Sequence, residues 1–178
     1  MLATAATAAE RPRIAGVAIP AAWELWALIV GGFAGLALWE VWANVPTPYV
    51  AGGPLEPPTL IKALFQHQLG WEPSTELARA LHYFTGVVGY PLGYFLLTRN
   101  GVSLGRRYDG WIWGAFTTFI ALGLFAVLAG LPFMLWAWGG QLTIMSTIGH
   151  TLYGGFAAYV TEFMIRAGAH HPTASSQQ

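Results

Sequence analysis

Apolar residues fall into four long runs, which are separated by shorter stretches rich in proline, glycine and charged side chains. The runs occupy residues 21–43, 75–98, 110–131 and 141–166. Each run has about the 20 residues that an α-helix needs to cross the hydrocarbon core of a bilayer. The pattern therefore predicts an all-α polytopic membrane protein, with four transmembrane helices in one domain over residues 21–167.

Tryptophan residues stand at both ends of the first run. Trp23 and Trp26 lie at one end, and Trp39 and Trp42 lie at the other. A helix from Trp23 to Trp42 is about 29 Å long, close to the thickness of the hydrocarbon core. Because tryptophan is enriched at both membrane interfaces, we predict that both pairs anchor a spanning helix there.

The insertion between the first two runs, residues 44–74, begins with prolines that cannot continue a helix. Within it, residues 59–69 place apolar side chains at helical spacing, with Lys62 and His67 among the polar residues around them. This segment is too short to span a bilayer. It predicts one short amphipathic helix that lies at the membrane interface.

Basic residues are distributed unevenly between the two sides of the predicted bundle. One side holds only Lys62 and Arg79. The other side carries most of the arginines. It comprises a mobile amino-terminal arm (residues 1–20), the second loop (residues 99–109) and a disordered carboxyl-terminal tail (residues 168–178), with the helix ends beside them. The positive-inside rule therefore predicts that both termini are cytoplasmic and that the 44–74 insertion is extracytoplasmic.

Four arginines on the cytoplasmic side are predicted to fix the topology and to contact lipid headgroups: Arg99, Arg106, Arg107 and Arg166. Glu162 lies one helical turn before Arg166, a spacing that favours an ion pair between them. Together these features predict an integral membrane protein, with the lipid bilayer as its main partner.

Composition supports the membrane assignment and excludes several functions. The chain of 178 residues is 55% hydrophobic and only 9% charged, far below the charge content of soluble domains. Its formal net charge is zero, so there is no basic surface for nucleic acid. The absence of cysteine excludes disulfides, zinc–thiolate sites and thiol catalysis. No nucleophile, phosphate loop or metal motif of usual spacing occurs, so the sequence favours a protein without catalytic activity.

Three ionisable side chains, Glu40, His82 and His150, fall inside the predicted spans and in the outer half of the membrane. Ionisable groups at such depth are costly in lipid, so they usually face the protein interior and mark functional sites. These three residues therefore form the candidate polar or ligand-binding cluster.

Three interpretations of this cluster remain open. Its side chains hold the helices in register through hydrogen bonds, or they form a cavity that handles protons or a small solute, since histidine titrates near neutral pH. The third interpretation is ligation, of a haem or chlorin by the paired histidines or of a metal ion by all three residues. A structural or pigment-binding chain would belong to a larger complex, whose partners are other membrane subunits or further copies of itself.

A short motif recurs in the second and fourth runs. His82 precedes Gly86, and His150 precedes Gly154, at the same spacing. This recurrence predicts two helical hairpins in series, an arrangement known from transport folds. Glycines at positions 31, 32 and 35 of the first run predict close helix packing rather than a nucleotide-binding loop, because no strand precedes them.

Several short motifs also occur in the order known from one family of membrane proteins. They are Asn44-Val-Pro46-Thr-Pro48, Leu60-Ile-Lys-Ala63, His82, Leu131-Pro132-Phe133 and Ile148-Gly149-His150-x-x-Tyr153. Over about residues 14–167 the chain resembles the YagU-like bacterial inner-membrane proteins. The resemblance implies the same topology as the patterns above, and a location in the bacterial cytoplasmic (inner) membrane. It implies no catalytic activity, since the biochemical role of that family is unknown.

Overall fold

Helix accounts for 77% of the computed structural model, which describes residues 12–105 and 108–169. The predicted all-α class is therefore confirmed. Along the chain the α-helices are α1 (Ala22–Asn44), α2 (Thr47–Ala51), α3 (Pro57–Leu69), α4 (Thr75–Phe84), α5 (Tyr90–Arg99), α6 (Asp109–Thr118), α7 (Ala126–Leu128) and α8 (Gln141–Ala169). A two-stranded hairpin of β1 (Arg13–Ile14) and β2 (Val17–Ala18) precedes them.

Two of the long helices contain a π-helical segment. Thr85–Gly89 joins α4 to α5, and Phe119–Phe125 joins α6 to α7, so each pair forms one continuous helix. The first π-helical segment ends just before Pro91, which has no backbone N–H to donate to the preceding turn. A 3₁₀ segment, Phe133–Trp138, then leads to α8. The four apolar runs thus correspond to α1, the α4–α5 helix, the α6–α7 helix and α8.

Two helical stretches of the described residues are long and apolar enough to cross a membrane. They are Ala22–Ala51, which comprises α1 and α2, and Asp109–Leu128, which is the α6–α7 helix. α8 has 29 residues, but polar side chains occur along its length. The α4–α5 helix likewise carries Glu76, Arg79 and His82 in its first part. The structure therefore shows two candidate spans among the four that the sequence predicts.

α8 lies at the centre of the bundle, where it packs against α1 on one side and α6 on the other. Glycine permits this close approach, because any side chain would collide with the facing backbone. A methyl group on Gly35 of α1 would lie 2.8 Å from the Tyr153 carbonyl oxygen. One on Gly154 of α8 would lie 2.5 Å from the Gly110 carbonyl oxygen. The glycines of the first run therefore serve helix packing, as predicted.

Polar side chains are buried inside the bundle, and large apolar side chains cover its outside. The buried polar and charged residues are Glu24, Thr47, Asp109, Thr117, Thr118, Thr143, Ser146, Thr161 and Glu162. The exposed large apolar residues of α8 include Ile144, Ile148, Phe156, Tyr159 and Phe163. Apolar residues such as Leu28, Leu36 and Phe95 are buried as well, so apolar side chains occur both inside and outside the bundle. In a soluble domain, polar residues are mostly exposed.

Arg99 of α5 and Glu162 of α8 form an ion pair inside the bundle, and neither side chain exposes more than 10% of its surface. The Tyr94 hydroxyl donates to the same carboxylate at 3.5 Å. Arg166 is exposed, and its Nε donates to the main-chain carbonyl oxygen of Glu162 at 3.0 Å. The predicted ion pair between Glu162 and Arg166 is therefore wrong, because the carboxylate points inward to α5. The Arg99 guanidinium is likewise held within the bundle rather than extended toward headgroups.

α3 lies across one end of the bundle, against α4 and α7. It begins at Pro57, which suits a first helical turn, and ends at Gly70, whose φ of 74° favours glycine. The Gln68 side chain donates to the Leu128 carbonyl oxygen at 2.5 Å, which ties α3 to the end of α7. The segment predicted to be helical, residues 59–69, is helical. The short helix α2 is not predicted from the sequence. The prolines there indicate the end of a helix, but proline is also tolerated in the first turn of one.

The hairpin of β1 and β2 lies within the segment that the sequence predicts as an arm, residues 1–20. The Ala18 amide donates to Asn100 Oδ1 at 2.8 Å, and Asn100 Nδ2 donates back to the Ala18 carbonyl oxygen at 3.2 Å. The hairpin is thereby tied to the end of α5. The predictions that lie outside the described residues concern the arm up to residue 11, the tail from residue 170, Arg106 and Arg107.

Gly154→Ala is expected to destabilise the protein by about 1–3 kcal/mol, because the added methyl group overlaps the backbone of α6. Gly53→Ala is the matched control, since a methyl group there meets no atom within 4 Å. The free energy of unfolding is measured by denaturant titration of the purified protein in detergent micelles. Equal stability of the two variants would contradict the close packing of α6 on α8.

Candidate functional site

A cavity of about 370 Å³ lies beneath α3, between α1, the two π-helical segments and α8. Most side chains on its wall are apolar, and they include Leu36, Leu55, Leu60, Leu122, Leu135 and Leu142. We call this space the inner cavity. Its volume is within the range of small-molecule sites in proteins.

The inner cavity brings two of the three predicted cluster residues to one wall. His82 of α4 and His150 of α8 both contact the indole ring of Trp39, with ring-centroid distances of 5.1 Å and 5.9 Å. All three side chains line the cavity. Two histidines that are far apart in the sequence therefore share one aromatic neighbour.

Glu40, the third predicted residue, faces a second space. This outer cleft has a volume of about 310 Å³, and its wall includes Glu40, Lys62 and Arg79. One Glu40 carboxylate oxygen lies 3.8 Å from His82 Nε2. Trp39 and His82 line both spaces, so they separate the polar outer cleft from the apolar inner cavity.

The hydrogen bonds of His150 fix its tautomer. Its Nδ1 lies 2.9 Å from the carbonyl oxygen of Ser146, one turn earlier in α8, and 3.2 Å from the Ser146 hydroxyl. Because a carbonyl oxygen only accepts, Nδ1 carries the hydrogen and donates it. In the neutral ring this leaves a lone pair on Nε2, which makes no hydrogen bond within the described part of the chain. Nε2 is therefore available to a ligand.

Two buried nitrogen atoms on the cavity wall have no hydrogen-bond partner among residues 12–105 and 108–169: Trp39 Nε1 and His82 Nε2. The 3.8 Å separation between His82 Nε2 and Glu40 is too long for a hydrogen bond. Both nitrogen atoms are enclosed by the surrounding side chains, and Trp39 Nε1 lies beside Gly149 of α8. Two other buried atoms of the described residues, Arg99 Nε and Thr118 Oγ1, also have no hydrogen-bond partner and lie away from the cavity.

Trp39 stands at the centre of this site, although the sequence predicts an interface anchor at this position. It exposes only 4% of its surface, and Trp42 donates from Nε1 to the Met145 carbonyl oxygen at 2.8 Å. The prediction is therefore wrong for this pair, because both rings pack against α8, where Gly149 makes room for them. The sequence does contain a sign of this inward packing, because Gly35 lies one helical turn before Trp39 and therefore on the same face of α1.

Two further residues of the cavity wall, Ser146 and Tyr153, are not among the predicted site residues. The Tyr153 hydroxyl donates to the Gly86 carbonyl oxygen at 2.5 Å, in the first π-helical segment. Both π-helical segments contribute to the wall, with Gly86 from the first and Leu122 from the second. π-Helical turns occur frequently at functional sites. Serine and tyrosine are common in membrane helices, so the sequence alone does not distinguish these two positions.

The glycine of the recurring His-x-x-x-Gly motif has the same packing role in both hairpins. Gly86 follows His82, and a methyl group on it would lie 3.2 Å from Leu36 of α1. Gly154 follows His150 and packs against α6. Each glycine therefore packs against the preceding long helix, which agrees with two hairpins in series.

This geometry gives little support to the hypotheses that the cluster binds a metal ion, a haem or a chlorin. No group of three or more histidine, aspartate or glutamate side chains in the described residues could hold a metal ion. The metal interpretation of Glu40, His82 and His150 is therefore not supported. For a haem or chlorin, the two histidines remain the available ligands, and this interpretation stays a prediction.

Comparisons with known proteins add no relative. No family model, no curated protein and no solved structure matches the chain. The resemblance to the YagU-like proteins therefore stays a prediction, and the functional argument depends on the geometry of the site.

His150 is expected to occur as the Nδ1–H tautomer of the neutral ring, because its Nδ1 donates to the Ser146 carbonyl oxygen. The ¹⁵N chemical shifts of labelled histidine side chains, measured in lipid nanodiscs, distinguish the two tautomers, and His150→Phe identifies the signal. Ser146→Ala is the control, since it removes the hydroxyl but keeps the carbonyl acceptor and should leave the tautomer unchanged. An Nε2–H signal from the wild-type protein would contradict this arrangement.

Proposed function

We propose that the chain is an integral membrane protein in which α1, the α4–α5 helix, the α6–α7 helix and α8 all cross the bilayer. The apolar exterior and the buried polar residues support this proposal. Polar residues of α8 such as Thr161 and Glu162 are buried, so they lower the hydropathy of the helix without facing lipid. Hydrocarbon offers no hydrogen bonds, so a spanning bundle has to satisfy its polar groups internally.

The proposed membrane is the inner membrane of a bacterium, with both termini in the cytoplasm. The uneven distribution of lysine and arginine supports this orientation, and the YagU-like motifs agree with the location. The outer cleft, α2 and α3 then lie on the extracytoplasmic side. No residue of α3 is fully buried, as suits a helix at a membrane interface.

Within this bundle the inner cavity admits a small solute, or a proton, from the extracytoplasmic side. The observation that carries this function is the position of His82 and His150 on the wall of the inner cavity, with Trp39 and His82 also lining the outer cleft. Glu40 offers a proton acceptor on the cleft side of His82. On the cavity side, His150 offers the lone pair of its Nε2.

Single-cysteine variants test access to the inner cavity against a wild-type chain that has no cysteine. Ser146→Cys, on the cavity wall, is expected to react with methyl methanethiosulfonate several-fold faster than Thr143→Cys. Both wild-type side chains are buried, with 4% and 2% of their surfaces exposed, but the wall does not include Thr143. Equally slow reaction of the two thiols would contradict an accessible cavity.

Two exposed positions establish the sidedness in the same experiment. Tyr49 in α2 is 89% exposed, and Leu104 in the second loop is 76% exposed. A membrane-impermeant maleimide is expected to label Tyr49→Cys on intact cells and Leu104→Cys only after the cells are opened. Labelling of both on intact cells would contradict the four-span topology, and the reverse pattern would contradict the orientation.

A further inference from the structure

We infer that one anionic phospholipid of the cytoplasmic leaflet binds to the outside of the bundle, in a groove that follows α8 and ends at Arg166. The inference rests on the proposed membrane topology, because lipid reaches this surface only if the bundle is embedded. Three observations lead to it: the shape of the groove, the apolar side chains that line it, and the free guanidinium group at one end.

α8 lies between two helices, so its outward face forms the floor of a groove. On one side, a methyl group on Gly35 of α1 would lie 2.8 Å from Ala157 Cβ. On the other side, a methyl group on Gly110 of α6 would overlap Ala158 Cβ. The space over α8 between the two helices has a volume of about 550 Å³. We call this space the α8 groove.

Apolar side chains form most of the α8 groove. Leu38 of α1 and Trp111 of α6 line it from the two flanking helices. The Trp111 ring rests on Gly155, where a methyl group would lie 2.6 Å from the indole. From Leu152 to Arg166 the groove follows α8 for about 21 Å, which covers one leaflet of the ~30 Å hydrocarbon core and the interface beside it. The groove therefore fits one acyl chain of a lipid.

The free charge of the α8 groove belongs to Arg166. Its side chain is exposed, and its Nε donates to the main-chain carbonyl oxygen of Glu162 at 3.0 Å. The two terminal nitrogen atoms of the guanidinium have no partner among residues 12–105 and 108–169. Glu162 also lines the groove, but its carboxylate is buried and paired with Arg99. One positive charge is therefore left at the end of the groove.

An apolar groove that ends in a positive charge is complementary to an anionic amphiphile. The acyl chain lies between Leu38 and Trp111, and the phosphate accepts hydrogen bonds from the Arg166 guanidinium, whose planar geometry suits two phosphate oxygens. A zwitterionic lipid fits less well, because its headgroup carries a cation and the one carboxylate of the groove is already paired. Inorganic phosphate lacks the acyl chain that the groove accommodates.

Photoreactive lipids test this site in lipid nanodiscs. Phosphatidylglycerol, which is anionic, is compared with phosphatidylcholine, which is zwitterionic, and both carry the same diazirine-labelled acyl chain. After illumination, mass spectrometry locates the cross-linked residues. We expect the ratio of phosphatidylglycerol to phosphatidylcholine adducts to be about fivefold higher at Leu152 and Phe156 than at Phe33 and Phe119, which are exposed on other faces of the bundle.

Two variants of Arg166 assign the preference to its charge. Arg166→Gln should lower the adduct ratio in the groove to the value at Phe33, and Arg166→Lys should keep it raised. Arg13→Gln is the matched control, since Arg13 is exposed on the same proposed side of the membrane and does not line the groove. It should leave the ratio unchanged. Inorganic phosphate, added at constant ionic strength, should not displace the lipid.

The outcomes separate this site from the proposed topology. Absence of adducts at the groove and at both exposed phenylalanines would overturn the embedded bundle itself. Adducts with equal ratios at all these positions would overturn the lipid site and leave the topology standing. A raised ratio that survives Arg166→Gln, or that inorganic phosphate abolishes, would also overturn the site. The wild-type comparison decides the main point even where a variant fails to fold.

Discussion

The structure depends on one constraint: a helix bundle with an apolar exterior has to satisfy its polar groups from within. Each buried polar group then needs a partner on a neighbouring helix or in its own backbone. The Arg99–Glu162 ion pair and the hydrogen bond from Tyr153 to Gly86 meet this need between helices. Threonines of α8 meet it locally, by donating to carbonyl oxygens of the preceding turn. Glycine-mediated contact between α8 and its neighbours holds these partners together.

The inner cavity interrupts this close packing. At the end of the bundle beneath α3, both π-helical segments contribute to the wall of an open space, while glycine keeps the helices in close contact elsewhere. Trp39, His82 and His150 line that space, and His150 presents the lone pair of its Nε2. A solute with a hydrogen-bond donor would pair with this nitrogen. The proposed binding of a solute therefore depends on the same polar interior as the packing of the bundle.

Local periodicity predicted the helices, whereas long-range packing decided the contacts. The four apolar runs and the stripe over residues 59–69 each coincide with helix, and the two cluster histidines meet at one wall as the repeated motif suggested. Trp39 lies near a helix end, where tryptophan often marks an interface, but in the structure it packs inward against Gly149. The partner of Glu162 is Arg99, 63 positions away in the sequence, so helical spacing could not identify it. The local sequence does not predict the two π-helical segments either, because they lie where helices contact one another.

The central claim is that the apolar exterior faces lipid, and spin-label accessibility tests it most directly. Nitroxide labels replace Phe33, Phe119 and Phe156, which are exposed on α1, the α6–α7 helix and α8. Collision rates are measured with oxygen, which concentrates in lipid, and with a water-soluble nickel chelate. Oxygen is predicted to relax these three labels strongly and nickel weakly, with the opposite result for a label at Leu104 in the second loop. Strong relaxation by nickel at the three helical positions would contradict the claim.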